Sequence, residues 1–392
     1  MTESAFFPLS ECVVSTGSGR DAVAVRVRGA SIVNRFPYVI ALSLNRRSSA
    51  HRELVDRLER TGAAAIQLGA DASLSTRACL TAPIARLNSA YLVYEAVFPE
   101  SFVDGGGETV YASPWVDVHD RRIYFLEIRT IQLREDIASG RTQIAWTALP
   151  GYTPGLGEPQ PPASPALPED GYVKPYTSDY RFPARGTVAF EPDEVADGFA
   201  VKRIESRSAV SAVSNDDARW PCFFPASVGM IASRLGGAVN VMPCGSTTVV
   251  CDRPLTIAPC IAYAAINERY RPRATLSMIE ASGRFTCGVP FSAEPVLDAI
   301  RFAGNSSLRE HPSKAAWSER ATLAGRGGES PPQVPWLPIN FECEVAGSIP
   351  LGTHVMLLGT VRSVSARASA EMSWSSVPTL VRSRELAAAS AA

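Results

Sequence analysis

Two patterns of apolar and polar positions recur along this chain, and each predicts one kind of element. Short apolar runs rich in Val, Ile, Leu and Ala, bounded by glycine, asparagine or proline, predict strands; stretches with apolar residues three and four apart, closed by a glycine, predict short helices. A first block opens at Phe6-Phe7-Pro8 and continues through a β-rich stretch with a glycine turn, CVVSTGSGRDAVAVRV. A buried-type strand, FPYVIALSLN, ends at Asn45, and the helix AHRELVDRLERTG ends at Gly62. Two strands follow, AYLVYEAVF and RIYFLEIRTI.

A second block repeats that order. It opens at Phe223-Phe224-Pro225 and runs through VGMIASRLGGAVNVMP, then APCIAYAAIN to Asn267, TLSMIEASG to Gly283, INFECEV and HVMLLGTVRSV. Matching positions are 217 apart at Phe6/Phe223, 222 at Asn45/Asn267, 221 at Gly62/Gly283, 249 at Glu95/Glu344 and 233 at Arg129/Arg362. Order is kept while length changes fall in connections, the pattern of a duplicated β unit. Between the blocks, residues 150–175 hold eight prolines. Such a stretch lacks the amide donors for a helix or central strand. It reads as a linker, or as an ordered arm across a neighbouring surface. The expected division is 1–149, a connection 150–219, 220–365, and a flexible tail 366–392.

Composition narrows the function classes. With 38 basic and 39 acidic residues the formal net charge is −1, which disfavours a nucleic-acid partner. Mean hydropathy is +0.02, and no apolar run reaches the length of a membrane span. The amino terminus lacks a basic segment leading into an apolar one, so a cytoplasmic location is expected. Only Lys174, Lys202 and Lys314 are lysines, and the arginine and alanine richness fits a GC-rich bacterial genome. The eight cysteines form no CxxC pair and read as buried free thiols; four histidines without ligand spacing predict no metal site. No Ser-His-Asp order, Walker loop or paired-carboxylate motif is present.

Chemistry-bearing residues collect in the second block. Arg271-Pro272-Arg273-Ala274-Thr275 sets two guanidiniums beside a helix start, where open amides and the dipole favour an anion such as phosphate. Ser246, Thr247 and Thr248 offer hydroxyls from a facing strand. A solvated loop and a plain N-cap at Thr275 are the alternatives. Met242-Pro243-Cys244-Gly245 makes a strand of small residues that permits close approach of a ligand, or is a plain strand end with a Pro-Cys-Gly turn. His354 stands at the entry to an apolar strand, suited to hydrogen bonding or proton transfer, or simply to a surface turn.

The order of these pieces over residues 220–365 resembles the flavin reductase-like family of FMN-binding split barrels. The resemblance rests on Gly236 to Thr247, on Arg253-Pro254-Leu255, on Thr275 and Ser282-Gly283-Arg284-Phe285 to Pro290, on Glu342-Cys343-Glu344, and on Gly352-Thr353-His354 to Val361. It implies a mainly β fold of barrels with short helices: two tandem split β-barrel domains forming a pseudo-dimer within the chain. It implies FMN, with FAD as the alternative, and NAD(P)H as co-substrate. The implied cofactor-binding set is Asn240, Met242, Pro243, Cys244, Gly245, Ser246, Thr247, Asn267, Arg271, Arg273 and Thr275, with His354 as the catalytic candidate. Partners are then free flavin or a small-molecule substrate, with further oligomerisation open. The first block lacks the site residues: Ala24 to Ser31 carries Arg26 and Arg28 where the ring strand lies, and Arg121 stands near the place of His354. One flavin per chain is therefore expected. The activity reads as hydride transfer between NAD(P)H and flavin. A biosynthetic flavoenzyme with its own substrate and a non-catalytic flavin-binding protein are the alternatives.

Overall fold

A computed structural model describes residues 11–34, 37–68, 76–78, 84–87, 89–90, 92–103, 108–111, 113–135, 144–145, 166–168, 187–188, 192–204, 227–263, 272–289, 299–300, 302–304, 306–310, 312–325, 330–337 and 339–366. The first half contains β1 (Glu11–Thr16), β2 (Val23–Arg28), β3 (Ala30–Asn34), β4 (Val39–Asn45), the helix Ser49–Thr61 and β5 (Ala63–Leu68). Next come β6 (Thr76–Ala78), β7 (Ala85–Leu87), β8 (Leu92–Val97), β9 (Phe102–Val103), β10 (Thr109–Tyr111), β11 (Trp115–Val118) and β12 (Arg121–Arg134). After β13 (Ile144–Ala145) and β14 (Thr187–Val188), the hairpin β15 (Glu194–Ala196) and β16 (Phe199–Arg203) adds to β12. The chain is thus mainly β, as expected. Residues 192–204, which the sequence places in the connection, are an edge of the first sheet. The Pro-rich stretch, apart from 166–168, and the tail beyond Ala366 lie outside the described residues.

The second half is a closed six-stranded barrel. Its strands are β17 (Ser227–Leu235), β18 (Ala238–Asp252), β19 (Leu255–Ala262), β20 (Arg284–Val289), β21 (Ile339–Pro350) and β22 (His354–Ala366), in the ring order β17-β18-β19-β22-β21-β20. The helix Ala274–Ser282 precedes β20, and the helix Pro312–Arg320 lies between β20 and β21. All pairings are antiparallel. Inward side chains fill the barrel with Ile231, Ile257, Ile261, Phe285, Phe341 and Leu357.

Strand pairing in the first half follows the same order. β1 pairs β2 and β5, β5 pairs β8, β8 pairs β12, β12 pairs β4, and β4 pairs β3. β2 and β3 together occupy the place of β18, and the break between them falls at Gly29. That residue has φ +94°, and a Cβ there would sit 3.1 Å from the Val249 carbonyl oxygen of the second half. A side chain would be strained and would push the halves apart. In both halves the first helix ends on a left-handed glycine, Gly62 and Gly283. Each glycine carbonyl then accepts from the strand beyond: from Phe98 at 2.7 Å and from Val345 at 2.8 Å.

The registers correct two of the sequence matches. Ala63 faces Val97 and Arg284 faces Glu344, so Val97, 247 positions away, is the counterpart of Glu344. Asn45 faces Arg121 and Ala262 faces His354, so Ala262 is the counterpart of Asn45. Identity of one residue type misled the alignment where strand length had changed. Asn267 lies outside the described residues.

The halves meet through an apolar layer. Val33, Val39, Ala41, Val118, Ile123 and Phe125 of the first half pack with Val250, Cys251, Ala258, Cys260, Ile349, Leu351 and Met356 of the second. Ser43 Oγ donates to the Val250 carbonyl at 2.6 Å, and Arg121 forms an ion pair with Asp252.

The glycine of the GxHxxxxG stretch has a steric reason. A Cβ at Gly359 would lie 2.3 Å from Phe285 Cζ, 2.7 Å from Cε1 and 3.0 Å from Cys343 Cβ. All three belong to the packed barrel interior, so Gly359→Ala should destabilise by about 1–3 kcal/mol. A denaturant midpoint that stays put would show that the ring can yield.

Candidate functional site

Most of the sequence-derived candidates sit on β18 and at the start of the helix Ala274–Ser282. Asn240 and Thr275 come together: Asn240 Nδ2 donates to Thr275 Oγ1 at 2.7 Å, and both side chains are buried. Asn240 Oδ1 is buried without a hydrogen-bond partner among the described residues. A buried acceptor left open is costly unless something donates to it. Thr248 Oγ1, four strand positions beyond Cys244, is a second such atom.

Arg273 is the N-cap of the helix and makes no side-chain capping bond. Its backbone N–H donates to the Ala262 carbonyl at 3.1 Å, which ties the helix start to the end of β19. The amides of Ala274 and Thr275 fall in the first turn, where an α-helix supplies no partner and the dipole is positive. The Arg273 side chain is half-buried and close enough to Cys244 to act on its thiol electrostatically. Arg271 lies outside the described residues.

Along β18 the roles divide. Met242 is half-buried against the barrel core, Pro243 is buried, and Gly245 and Ser246 are half-buried. A Cβ at Gly245 would meet nothing within 4 Å, so space lies beside the strand there. Thr247 is buried and its Oγ1 donates to the Cys244 carbonyl at 2.8 Å, which makes it a brace for the strand. Cys244 Sγ donates to the Cys260 carbonyl at 3.2 Å, and burial pushes the thiol's pKa up. It is therefore an inert protonated thiol at neutral pH. The six described cysteines are all buried and form no disulfide with one another. Among the described residues no group of His, Cys, Asp and Glu could hold a metal, and no helix is long and apolar enough to cross a membrane.

His354 is half-buried where β22 begins, opposite Ala262. Its neighbours include a residue that the sequence did not single out. Asn34, at the end of β3 in the first half, accepts from the backbone N–H of Thr353 at 3.1 Å, from Thr353 Oγ1 at 2.7 Å and from the His354 N–H at 3.1 Å. Nothing in the local sequence marks Asn34, because its partner lies 320 residues away. Lys314 was also missed as a structural element: it is fully buried and bonds the Val241 carbonyl, next to Asn240, at 2.7 Å.

The matching region of the first half is built differently. Arg26 and Arg28 are exposed while Val27 between them is buried, as an alternating strand requires. His51 takes a hydrogen bond on Nδ1 from the Asn45 N–H at 3.2 Å, and burial and the nearby Arg121 hold its pKa below the usual histidine value. Arg121 is engaged by Asp252, and Cys251 Sγ lies 3.6 Å from Asp120 Oδ1. A cavity of about 440 Å³ opens elsewhere, between Arg234, Ser282, Arg284 and Ser330, and is lined by none of the candidate residues.

Residues 221–384 match the model of the flavin reductase like domain. FMN reductase (NADH) RutF of Cronobacter sakazakii (strain ATCC BAA-894) is 26% identical over 144 residues, covering 34% of this chain and 77% of that protein. Among solved structures, flavoredoxin from Methanosarcina acetivorans aligns at 16% identity and a TM-score of 0.31, over 36% of this chain and 69% of that one. The Streptomyces globisporus C-1027 NADH:FAD oxidoreductase SgcE6 aligns at 19% identity and a TM-score of 0.31, over 38% and 80%. Residues 221–384 of this chain, which include the barrel of β17 to β22, are thus similar to the flavin reductase like domain.

Proposed function

We propose that the chain is an FMN-dependent oxidoreductase that moves a hydride between NAD(P)H and flavin, with FAD as the alternative flavin. Its two halves form a pseudo-dimer within one chain, and only the second half holds flavin. One observation carries the flavin reading: the buried, unsatisfied Asn240 Oδ1 beside Thr275, at a helix start capped by Arg273. These residues fit the cofactor. A guanidinium and open amides suit a phosphate, and an open acceptor beside the bare face of Gly245 suits a flat ring that carries N–H groups. The name of the Cronobacter relative supports NADH as the reductant.

The bound flavin would supply the redox chemistry. The chain's own residues do the rest. Arg273, the first-turn amides and the Ser246 hydroxyl hold the anionic end. Gly245 and Pro243 permit close approach of the ring. His354 binds or donates a proton on the side where a nicotinamide or other substrate enters. Cys244 stays protonated and leaves no competing nucleophile.

The pseudo-dimer reading is supported by contacts that repeat between the halves. Val118 and Leu351, Ile123 and Met356, and Phe125 and Leu358 stand 233 positions apart, and all six belong to the shared apolar layer. Asn34 reaches Thr353 and His354, while Asp252, at the end of β18, reaches Arg121. Such reciprocal contact is the signature of a two-fold interface. The ion pair fills the first half's equivalent of the His354 position, which supports a single flavin.

Anaerobic mixing of protein, FMN and NADH or NADPH should bleach the flavin absorbance quickly. Tight flavin without bleaching would instead favour an enzyme with its own small-molecule substrate. Calorimetric titration should give one FMN per chain. The double variant Arg273→Ala, Thr275→Ala should bind at least about tenfold more weakly, since one charge-assisted hydrogen bond contributes about 1.5–3 kcal/mol. Two tight sites, or unchanged affinity, would overturn this assignment.

A further inference from the structure

The hydrogen bonds around His354 decide which ring nitrogen carries its proton. Asn34 is almost wholly buried, and its Nδ2 donates to the Pro37 carbonyl at 2.9 Å. A carbonyl can only accept, so the amide is oriented with Oδ1 toward residues 353 and 354. That oxygen is an acceptor, so the Thr353 hydroxyl at 2.7 Å must donate its single proton to it. Thr353 Oγ1 also lies 2.8 Å from His354 Nδ1. With its proton committed to Asn34, the hydroxyl can only accept there, so Nδ1 must be the donor. The direct contact of Nδ1 with Asn34 Oδ1 at 3.2 Å requires the same. The opposite assignment would set lone pairs against each other at both contacts.

We propose that Asn34, a residue of the first half, is a positioning residue for His354, holding the imidazole in its Nδ1–H tautomer so that Nε2 is the basic nitrogen. In the neutral ring Nε2 then accepts a hydrogen bond, as from the amide N–H of a nicotinamide or a comparable N–H or O–H donor on the substrate. Its value in catalysis rests on the function proposed above; the tautomer itself does not. The second half's site is by this account incomplete without the first. That gives the otherwise siteless first half a part in the chemistry.

The test is long-range proton–nitrogen correlation NMR on the full chain with nitrogen-15 histidine. Only four histidines are present, and His354→Gln assigns the signal of interest. Above the ring's titration, wild type should show a protonated Nδ1 and an unprotonated Nε2, the reverse of the tautomer that a free imidazole side chain favours. Asn34→Leu should release it to the Nε2–H form. Asn34→Asp, which keeps an acceptor oxygen, should preserve Nδ1–H. A wild-type Nε2–H signal, or a tautomer unchanged in Asn34→Leu, overturns the proposal; the wild-type spectrum alone decides even if a variant folds poorly. In the NADH-dependent reduction of FMN, Asn34→Leu should lower kcat on the order of tenfold, with Asn34→Asp closer to wild type. If the tautomer is as stated and His354→Gln reduces FMN normally, the positioning stands and the catalytic role of His354 falls.

Discussion

Made without residues 1–219, the second half is expected to pair with itself or to aggregate, and not to remain a monomer. Removing the first half uncovers one side of the shared apolar layer, including Val250, Ile349, Leu351 and Met356, all nearly fully buried in the whole chain. Each such side chain contributes about 1.5–3 kcal/mol on burial, so these four together represent about 6–12 kcal/mol, comparable with the whole stability of a domain. The polar contacts fail with it. Asp252 loses Arg121, and the Thr353–His354 backbone loses Asn34. A β18–β22 face of this kind has one ready substitute for its missing partner, a second copy of itself. Size-exclusion chromatography with light scattering reads the outcome. A well-folded, soluble monomer would remove the pseudo-dimer reading.

Lys314→Ala should cost about 3–5 kcal/mol, because it both leaves a cavity and strands two carbonyls. Its Nζ donates to the Val241 carbonyl at 2.7 Å and the Ala303 carbonyl at 2.9 Å, and lies 5.0 Å from the Trp317 ring centroid and 5.6 Å from that of Phe302. It thereby ties the segment between β20 and β21 to β18, next to Asn240. Lys314→Met keeps most of the volume and should cost less, about 1–3 kcal/mol from the stranded carbonyls. Burial holds the pKa of Lys314 well below its ordinary 10.5. Between that lowered value and 10.5 the unfolded chain binds a proton that the folded chain does not, so this residue's contribution to stability rises with pH through that window. The stability difference between wild type and Lys314→Met should therefore grow in favour of wild type from neutral pH toward 10.5. Denaturant unfolding at several pH values checks it; a flat difference would mean that the lysine stays charged when folded. Comparing the two proteins cancels the opposite trend from thiols such as Cys260 and Cys287, whose pKa burial raises.

Much of the fold was legible because strands and caps are local. The helix ends at Gly62 and Gly283 follow from the left-handed backbone that glycine tolerates, and the last two strands of each block fall where their apolar runs place them. The site was legible less evenly. Asn240 and Thr275 were both named from sequence, but their mutual bond was not, since the chain between them had to close a barrel first. Thr247 reads as a ligand hydroxyl, and its bond to the Cys244 carbonyl, which braces its own strand, was not visible in the sequence. The strands at 194–203 were missed because a short run beside proline-rich sequence carries too little periodicity to stand out.

By itself the sequence determined the mainly β character, the order of elements in each half, and the small-residue strand and the helix start on which the proposed flavin site rests. Those features depend on spacing, side-chain size and backbone freedom over a few residues. Tertiary structure alone decided what lies across the chain from them. It brought Asn34 to His354, Asp252 to Arg121 and Lys314 to Val241, because hydrogen bonds and ion pairs act over about 3 Å whatever the sequence separation.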